Sequence, residues 1–169
     1  MKLFTRVIQT TLVITALGGG FCLSTWAAED KEEKVTLEKI PAAAAKAIKE
    51  AVGGEKIQGL SKEKDEGKTV YEVSFRKGGR AHDVTVDESG KVVSDEEVIP
   101  VEEAPKNIRA AIEKEHPGGK IEKLERITEG GKVNFEVLIS GKGKREEIKF
   151  DSKGSVIERE DKSGKKGNE

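Results

Sequence analysis

One stretch constrains the chain more than any other. Gly67 to Phe75 reads GKTVYEVSF, and Gly131 to Ile139 reads GKVNFEVLI. The same spacing of 64 residues carries Pro41 onto Pro105, Ala47-Ile48 onto Ala111-Ile112 and Gly54 onto Gly118. It also carries Lys56-Ile57 onto Lys120-Ile121, Leu60 onto Leu124, Asp87 onto Asp151, Gly90 onto Gly154 and Val92 onto Val156. Self-similarity at a fixed period without gaps is the mark of a repeated structural unit. The expected architecture is therefore two similar α+β units in tandem rather than one large core.

Within each copy the hydrophobic period switches from helical to alternating. Leu37 to Val52 is expected to be a helix. Ile40, Ala44, Ala47, Ile48 and Ala51 share one face, Pro41 stands in the first turn and Gly53-Gly54 forms the stop. Four strands follow: Lys56 to Lys64, Thr69 to Arg76, Arg80 to Val86 and Lys91 to Glu96. Ile57 and Leu60 are out of phase, which predicts a bulge in the first strand. Tyr71, Val73, Phe75, Val84 and Val86 point inward, and Asp87 to Gly90 makes a tight hairpin. The second copy predicts a helix from about Glu102 to Glu115 with Ala104, Ile108, Ala111 and Ile112 inward. Its strands fall near Lys120 to Thr128, Lys132 to Ile139, Lys144 to Phe150 and Ser155 to Glu160. Each unit is thus one helix covering the apolar face of a four-stranded antiparallel meander. A unit of this size is marginal alone, so two joined by a connector of only Val98 to Val101 are expected to share an interface or one continuous concave sheet.

The flanks carry an address. Lys2 and Arg6 precede an apolar run from Val7 to Leu23, and Thr25-Trp26-Ala27 places small residues where a signal peptidase cuts. The run holds Gln9 and three consecutive glycines, which fits a cleaved signal better than a spanning helix. Phe21 stands before Cys22, where lipoprotein processing needs a small residue. The expected division is residues 1–27 as signal peptide, 28–34 as charged linker, 35–97 and 98–161 as the two units, and 162–169 as a disordered tail. The mature chain would have no cysteine, and export without disulfides points to a bacterial periplasmic or secreted protein with no stable membrane anchor.

The residues that carry the pattern are Ile40-Pro41, Gly54-x-Lys56-Ile57, Gly67-Lys68-x-x-Tyr71-Glu72-Val73-x-Phe75 and Val84-x-Val86-Asp87-x-x-Gly90-x-Val92. The second copy repeats them at Pro105, Gly118, Lys120-Ile121, Gly131-Lys132, Phe135-Glu136-Val137, Asp151, Gly154 and Val156. This resembles the PepSY-like domain family, in particular its beta-lactamase-inhibitor-like group. The resemblance implies a helix on a four-stranded sheet, twice. It implies a concave sheet that grips an enzyme, as in the inhibitor protein, and an inhibitory role, as in propeptides of secreted metalloproteases. The chain departs from that inhibitor in having no disulfides and few sheet aromatics, so inhibition of a lactamase does not carry over.

Other chemistry is poorly served. Charged residues make up 37% of the chain but their signs are interspersed, with a net charge of −1, which leaves no basic footprint for nucleic acid. His82 and His116 are the only histidines and have no ligand spacing around them, so no metal or cofactor is expected. Asp87-x-Ser89-Gly90 is too short for a calcium loop and reads as a turn. Glu72 and Glu136 could in principle form an acid–base pair, but a solvated strand face explains them more simply, and the chain is read as a non-enzyme. The outer sheet face remains: Val70, Glu72, Ser74, Asp83 and Thr85 in the first copy, and Asn134, Glu136, Leu138, Arg145, Glu147 and Lys149 in the second. Val70, Glu72, Ser74, Asn134, Glu136 and Leu138 are the candidate contacts for a protein or peptide partner. The expected function is an exported binding module that inhibits or regulates an exported enzyme; the alternative is a small-molecule or cation-binding sensor in the same compartment.

Overall fold

The computed structural model describes residues 32–65 and 67–164. The signal-peptide expectation, most of the charged linker and the end of the tail lie outside the described residues. The fold is α+β. Among the described residues two α-helices accompany one antiparallel sheet of nine strands whose spatial order is their chain order. The strands are β1 (Glu33–Lys34), β2 (Ile57–Asp65), β3 (Lys68–Lys77), β4 (Arg80–Asp87), β5 (Val92–Val98), β6 (Lys120–Glu129), β7 (Lys132–Gly141), β8 (Lys144–Asp151) and β9 (Val156–Asp161). Helix α1 (Ala42–Val52) precedes β2, and α2 (Lys106–Glu115) precedes β6.

The helices begin later than periodicity alone predicts. Leu37–Lys39 and Val101–Glu103 are short 3-10 turns, and the chain then extends through Ile40-Pro41 and Ala104-Pro105 before each α-helix starts. A residue before proline is driven out of the helical region, so neither turn can run on into the helix. Each proline instead takes the N-cap, where its carbonyl accepts the first helical bond, from Ala45 N–H at 2.9 Å and from Arg109 N–H at 3.1 Å. The bulge expected in β2 is present between Ile57 and Gly59, and β6 has its counterpart between Ile121 and Lys123.

Strict alternation sends one set of strand residues toward the helices. Tyr71, Val73, Phe75, Val84 and Val86 are buried with Ala44, Ala45, Ile48 and Val52 of α1. Phe135, Val137, Ile139, Ile148 and Phe150 are buried with Ile108 and Ile112 of α2. The two cores are separate clusters on the same side of the sheet. An ionic seam lies near their boundary: Arg80 of β4 bonds Glu97 of β5 and Glu103 of the second 3-10 turn, and Arg126 of β6 also bonds Glu97. Burial opposes the Glu97 charge, yet the two arginines outweigh it and hold the carboxyl below its ordinary range.

What joins the two halves is backbone pairing. β5 and β6 pair over five residues, from Ser94↔Glu129 to Val98↔Glu125. The connector continues the attachment: Ile99 N–H donates to the Leu124 carbonyl at 2.9 Å, and the Ile99 side chain is buried in the second core. At the far end Asp161 completes β9, and Lys162, which composition assigns to the tail, is buried between Glu147 and Glu160.

The hairpin tips are fixed against the helices by close approach. Asp87 Oδ1 accepts from Ser89 N–H, Ser89 O–H and Lys91 N–H, which makes the turn. Gly90 follows at φ 84°, and a Cβ there would sit 2.6 Å from the Ala43 carbonyl oxygen of α1. Gly154 repeats the arrangement more loosely, with a Cβ position 3.2 Å from the Asn107 carbonyl oxygen. Positive φ alone makes a side chain cost about 1–3 kcal/mol at either site. Gly90→Ala adds a backbone clash, so it should lower the urea unfolding midpoint more than Gly154→Ala does. Equal losses would show that α1 can shift away from the turn.

Candidate functional site

The face of the sheet opposite the helices is polar and curved into a hollow of about 200 Å³. Register explains its membership. In β3 and β4 the face presents Glu72 opposite Thr85 and Ser74 opposite Asp83. Asp83 then lies opposite Glu96 of β5, and Glu96 opposite Ile127 of β6. The row continues through Glu125 opposite Glu136, Glu136 opposite Lys149, Leu138 opposite Glu147 and Lys149 opposite Glu158. Eight carboxyl groups and two lysines line the hollow, and they come from every strand between β3 and β9. A flat sheet would spread seven strands over about 30 Å; residues from all seven bound one cavity here, so the sheet wraps around it.

That curvature revises the exposure expected for several candidates. Val70 does face away from the helices, between Glu63 and Asp87 in the adjoining strands, but it is 3% exposed. Thr85 and Lys149, expected on an open surface, are also buried. The inside of a curved sheet crowds its own side chains, and long neighbours on adjacent strands cover short or apolar ones. Glu72, Ser74, Asn134, Glu136 and Leu138 are half-buried on the same face, so five of the six candidate contacts remain partly accessible. Ser74 O–H donates to Asp83 Oδ1 at 2.5 Å. Sequence reasoning missed Lys123, Glu125 and Glu96, which stand at the middle of the hollow. The β6 bulge puts Lys123 on this face, and pairing across the sheet rather than local pattern puts Glu125 beside Glu136.

The electrostatics are unusual for a surface strand. Glu125 is 4% exposed, and Lys123 Nζ stands 2.7 Å from its Oε1. Burial pushes the Glu125 carboxyl above its ordinary range although Lys123 pulls against it. Burial, then Glu147 and Glu125, push Glu136 up to about 7, with Lys149 opposing and Glu96 adding to the rise. Lys123 is held above the ordinary lysine range: burial works against its charge, but Glu125 outweighs burial. Lys149 Nζ lies 3.9 Å from Glu129.

The two histidines are structural. The His82 ring stacks on Phe75 with centroids 5.3 Å apart. His116 caps α2, is buried and sets its Nε2 3.4 Å from Glu146. No group of three or more His, Cys, Asp or Glu among the described residues is placed to hold a metal ion. A wider depression of about 570 Å³ lies outside α1, lined by Leu37, Ile40, Ala42 and Ala45 together with Glu38, Lys46, Lys49 and Glu50. It opens broadly to solvent, whereas the sheet-face hollow gathers side chains from seven strands, so the hollow is the better candidate. No helix among the described residues is long and apolar enough to cross a membrane.

The Lys123–Glu125 pair is open to a direct test. Lys123→Met keeps the aliphatic stem and leaves a buried carboxylate unmatched, which should cost about 1–3 kcal/mol. The cost should be largest near pH 8 and shrink toward about pH 5, because a carboxyl with a raised pKa sheds its charge as pH falls. Chemical denaturation at the two pH values checks this; a loss independent of pH would show that packing rather than charge is at stake.

Comparison with known proteins now has a geometry to rest on. Residues 34–96 match the family model described as peptidase propeptide and YPEB domain. Residues 71–158 match the PepSY-like model described as beta-lactamase-inhibitor-like, running from β3 to β9 across the β5–β6 join. No curated protein sequence matches the chain. Among solved structures, a DUF2874 family protein from Bacteroides ovatus is similar with a TM-score of 0.60 and 11% identity, over 75% of this chain and 90% of that one. A DUF2874 family protein from Bacteroides uniformis is similar with a TM-score of 0.60 and 19% identity, over 73% and 91%. A BLIP-like protein from Bacteroides fragilis is similar with a TM-score of 0.58 and 15% identity, over 77% and 92%. These likenesses concern the fold, whereas the second family model covers more than half of the chain: the protein belongs to the PepSY-like, beta-lactamase-inhibitor-like family.

Proposed function

We propose that the protein is a non-enzymatic exported binding module whose hollow sheet face holds a protein or peptide partner, inhibiting or regulating an exported enzyme. The observation that carries this reading is the β5–β6 ladder. It places Glu72 and Ser74 on the same side of one sheet as Glu136 and Leu138, so that a partner meets one surface instead of two small ones. Stable protein interfaces bury at least about 1,000 Å² in total, more than a single four-stranded face readily supplies. The family descriptions, which name an inhibitor-like domain and a peptidase propeptide domain, support the same class of function. The basic start at Lys2 and Arg6 and the apolar run after it support export to the periplasm or beyond.

In this reading the two halves, residues 35–97 and 98–161, are copies of one helix-and-meander unit related by the 64-residue spacing. Duplication doubled the face, and divergence then concentrated charge in the second half: Glu125 and Lys149 stand where the first half has Ser61 and Thr85. The excess of carboxyl groups favours a partner that presents lysine or arginine and repels an acidic one.

The test uses a partner captured by the full chain from its native envelope and then purified. Leu138→Asp and Glu72→Lys should each weaken that partner at least about tenfold in calorimetry, a typical penalty for a charge mismatched at an interface. Circular dichroism and the unfolding midpoint should stay near wild type, because both side chains are half-buried and lie off the two cores. Binding that survives both substitutions would remove the sheet face from the account. Val70 is unsuitable as a probe, since a charge there would be buried.

A further inference from the structure

The centre of the hollow holds more carboxyl groups than its cations can match. We propose that Glu136, set opposite Glu125 across the β6–β7 ladder, is an exchangeable proton site, and that its gain or loss of a proton sets the charge this face presents to a partner. The second half of the proposal rests on the binding-face reading above; the first half does not.

Glu125 and Glu136 are directly opposite in register. Directly opposed residues on one face bring their Cβ atoms within about 5.5 Å, and like charges there destabilise the sheet. Solvent cannot screen the pair well, because Glu125 is buried and Glu136 half-buried. On β6 the one cation in reach is Lys123, already paired with Glu125. On β8 Lys149 faces Glu136 across the ladder, but it also approaches Glu129 and lies opposite Glu158 of β9. Glu147 of β8 and Glu160 of β9 are matched by Lys162. From β5, β4 and β3 the hollow receives only Glu96, Asp83 and Glu72, each an acid. The helices lie on the other side of the sheet and bring no charge to it. Among the described residues no ion pair involves Glu136.

The electrostatic consequence agrees with this geometry. Burial and the neighbouring carboxylates lift Glu136 from 4.5 to about 7. Burial comes first among the causes, and the carboxylates of Glu147 and Glu125 add to it. The sign for stability follows. The folded state holds the proton more tightly than the unfolded chain, so this group weakens the fold fully above about pH 7. The penalty is relieved as pH falls from 7 toward 4.5.

The experiment is a side-chain carboxyl NMR titration of the full chain from about pH 4 to about pH 9, spanning ordinary and raised glutamate values. Wild type should show one glutamate step near neutrality. Glu136→Gln should abolish it, and Glu125→Gln should move the Glu136 step down toward the ordinary range. Glutamates that all titrate in the ordinary range, or a near-neutral step that survives both substitutions, would overturn the proton site. If either variant fails to fold, the wild-type titration still decides. Denaturation adds an independent reading: Glu136→Gln should raise the unfolding midpoint near pH 8 and change it little near pH 5. Partner binding tests the second half. Removing one negative charge should weaken a basic partner about threefold to tenfold between pH 8 and pH 6 in wild type, and leave Glu136→Gln insensitive over that range. Partner affinity without that pH dependence would overturn the gating while leaving the proton site and the binding face standing.

Discussion

Backbone N–H and C=O groups along a strand must be paired or hydrated, and an unpaired strand edge invites association with other chains. In this protein β5 would be such an edge for the first half, and β6 for the second. They pair with each other instead, over Ser94–Val98 and Glu125–Glu129. That ladder completes one nine-stranded sheet, with the two-residue β1 and the charged β9 at its two ends. The helices then have to lie on one side, because strand alternation continues through the join: Val84 lies opposite Asp95, Asp95 opposite Thr128, and the two apolar cores sit on that same side. The other side is left to the polar residues, and the length of the sheet lets it curl around them.

The curling has an energetic cost that the charges make visible. A polar face on a flat sheet would be hydrated and each carboxylate would stay near its ordinary pKa. Here Glu125, Lys149 and Lys162 are buried beside side chains of opposite sign, Lys123, Glu129, Glu147 and Glu160. Such pairs rarely stabilise a fold more than apolar groups of similar size would. On the helix side the Arg80–Glu97–Arg126 seam keeps the two apolar clusters apart, and each forms around its own helix.

Much of this was legible in the sequence because it depends on local period. Tyr71-Val73-Phe75 and Phe135-Val137-Ile139 alternate, so their inward face and their strands could be read directly, and the misphased Ile57 and Leu60 gave away the β2 bulge. Helical spacing continues through Ile40 and Ala104 and so predicts helix starts that are too early, while the proline constraint that breaks the chain there acts on backbone angles rather than on pattern. The hollow was not legible. Val70 looks like an exposed residue until curvature buries it. Glu125 and Glu136 look like separate surface acids until pairing across β6 and β7 sets them side by side. Both are consequences of long-range register and curvature, which a residue's neighbours in sequence do not encode.

The central claim is that the β5–β6 ladder makes one structure and one surface out of two halves. Native-state hydrogen exchange, read amide by amide across that ladder, tests it most directly. The account predicts that amides of β5 and β6 bonded across the join exchange only through openings as rare as those that free the interior amides of β3 and β7. Rapid exchange confined to the join, with the interiors of both halves still protected, would mean two bodies resting side by side and would contradict the account.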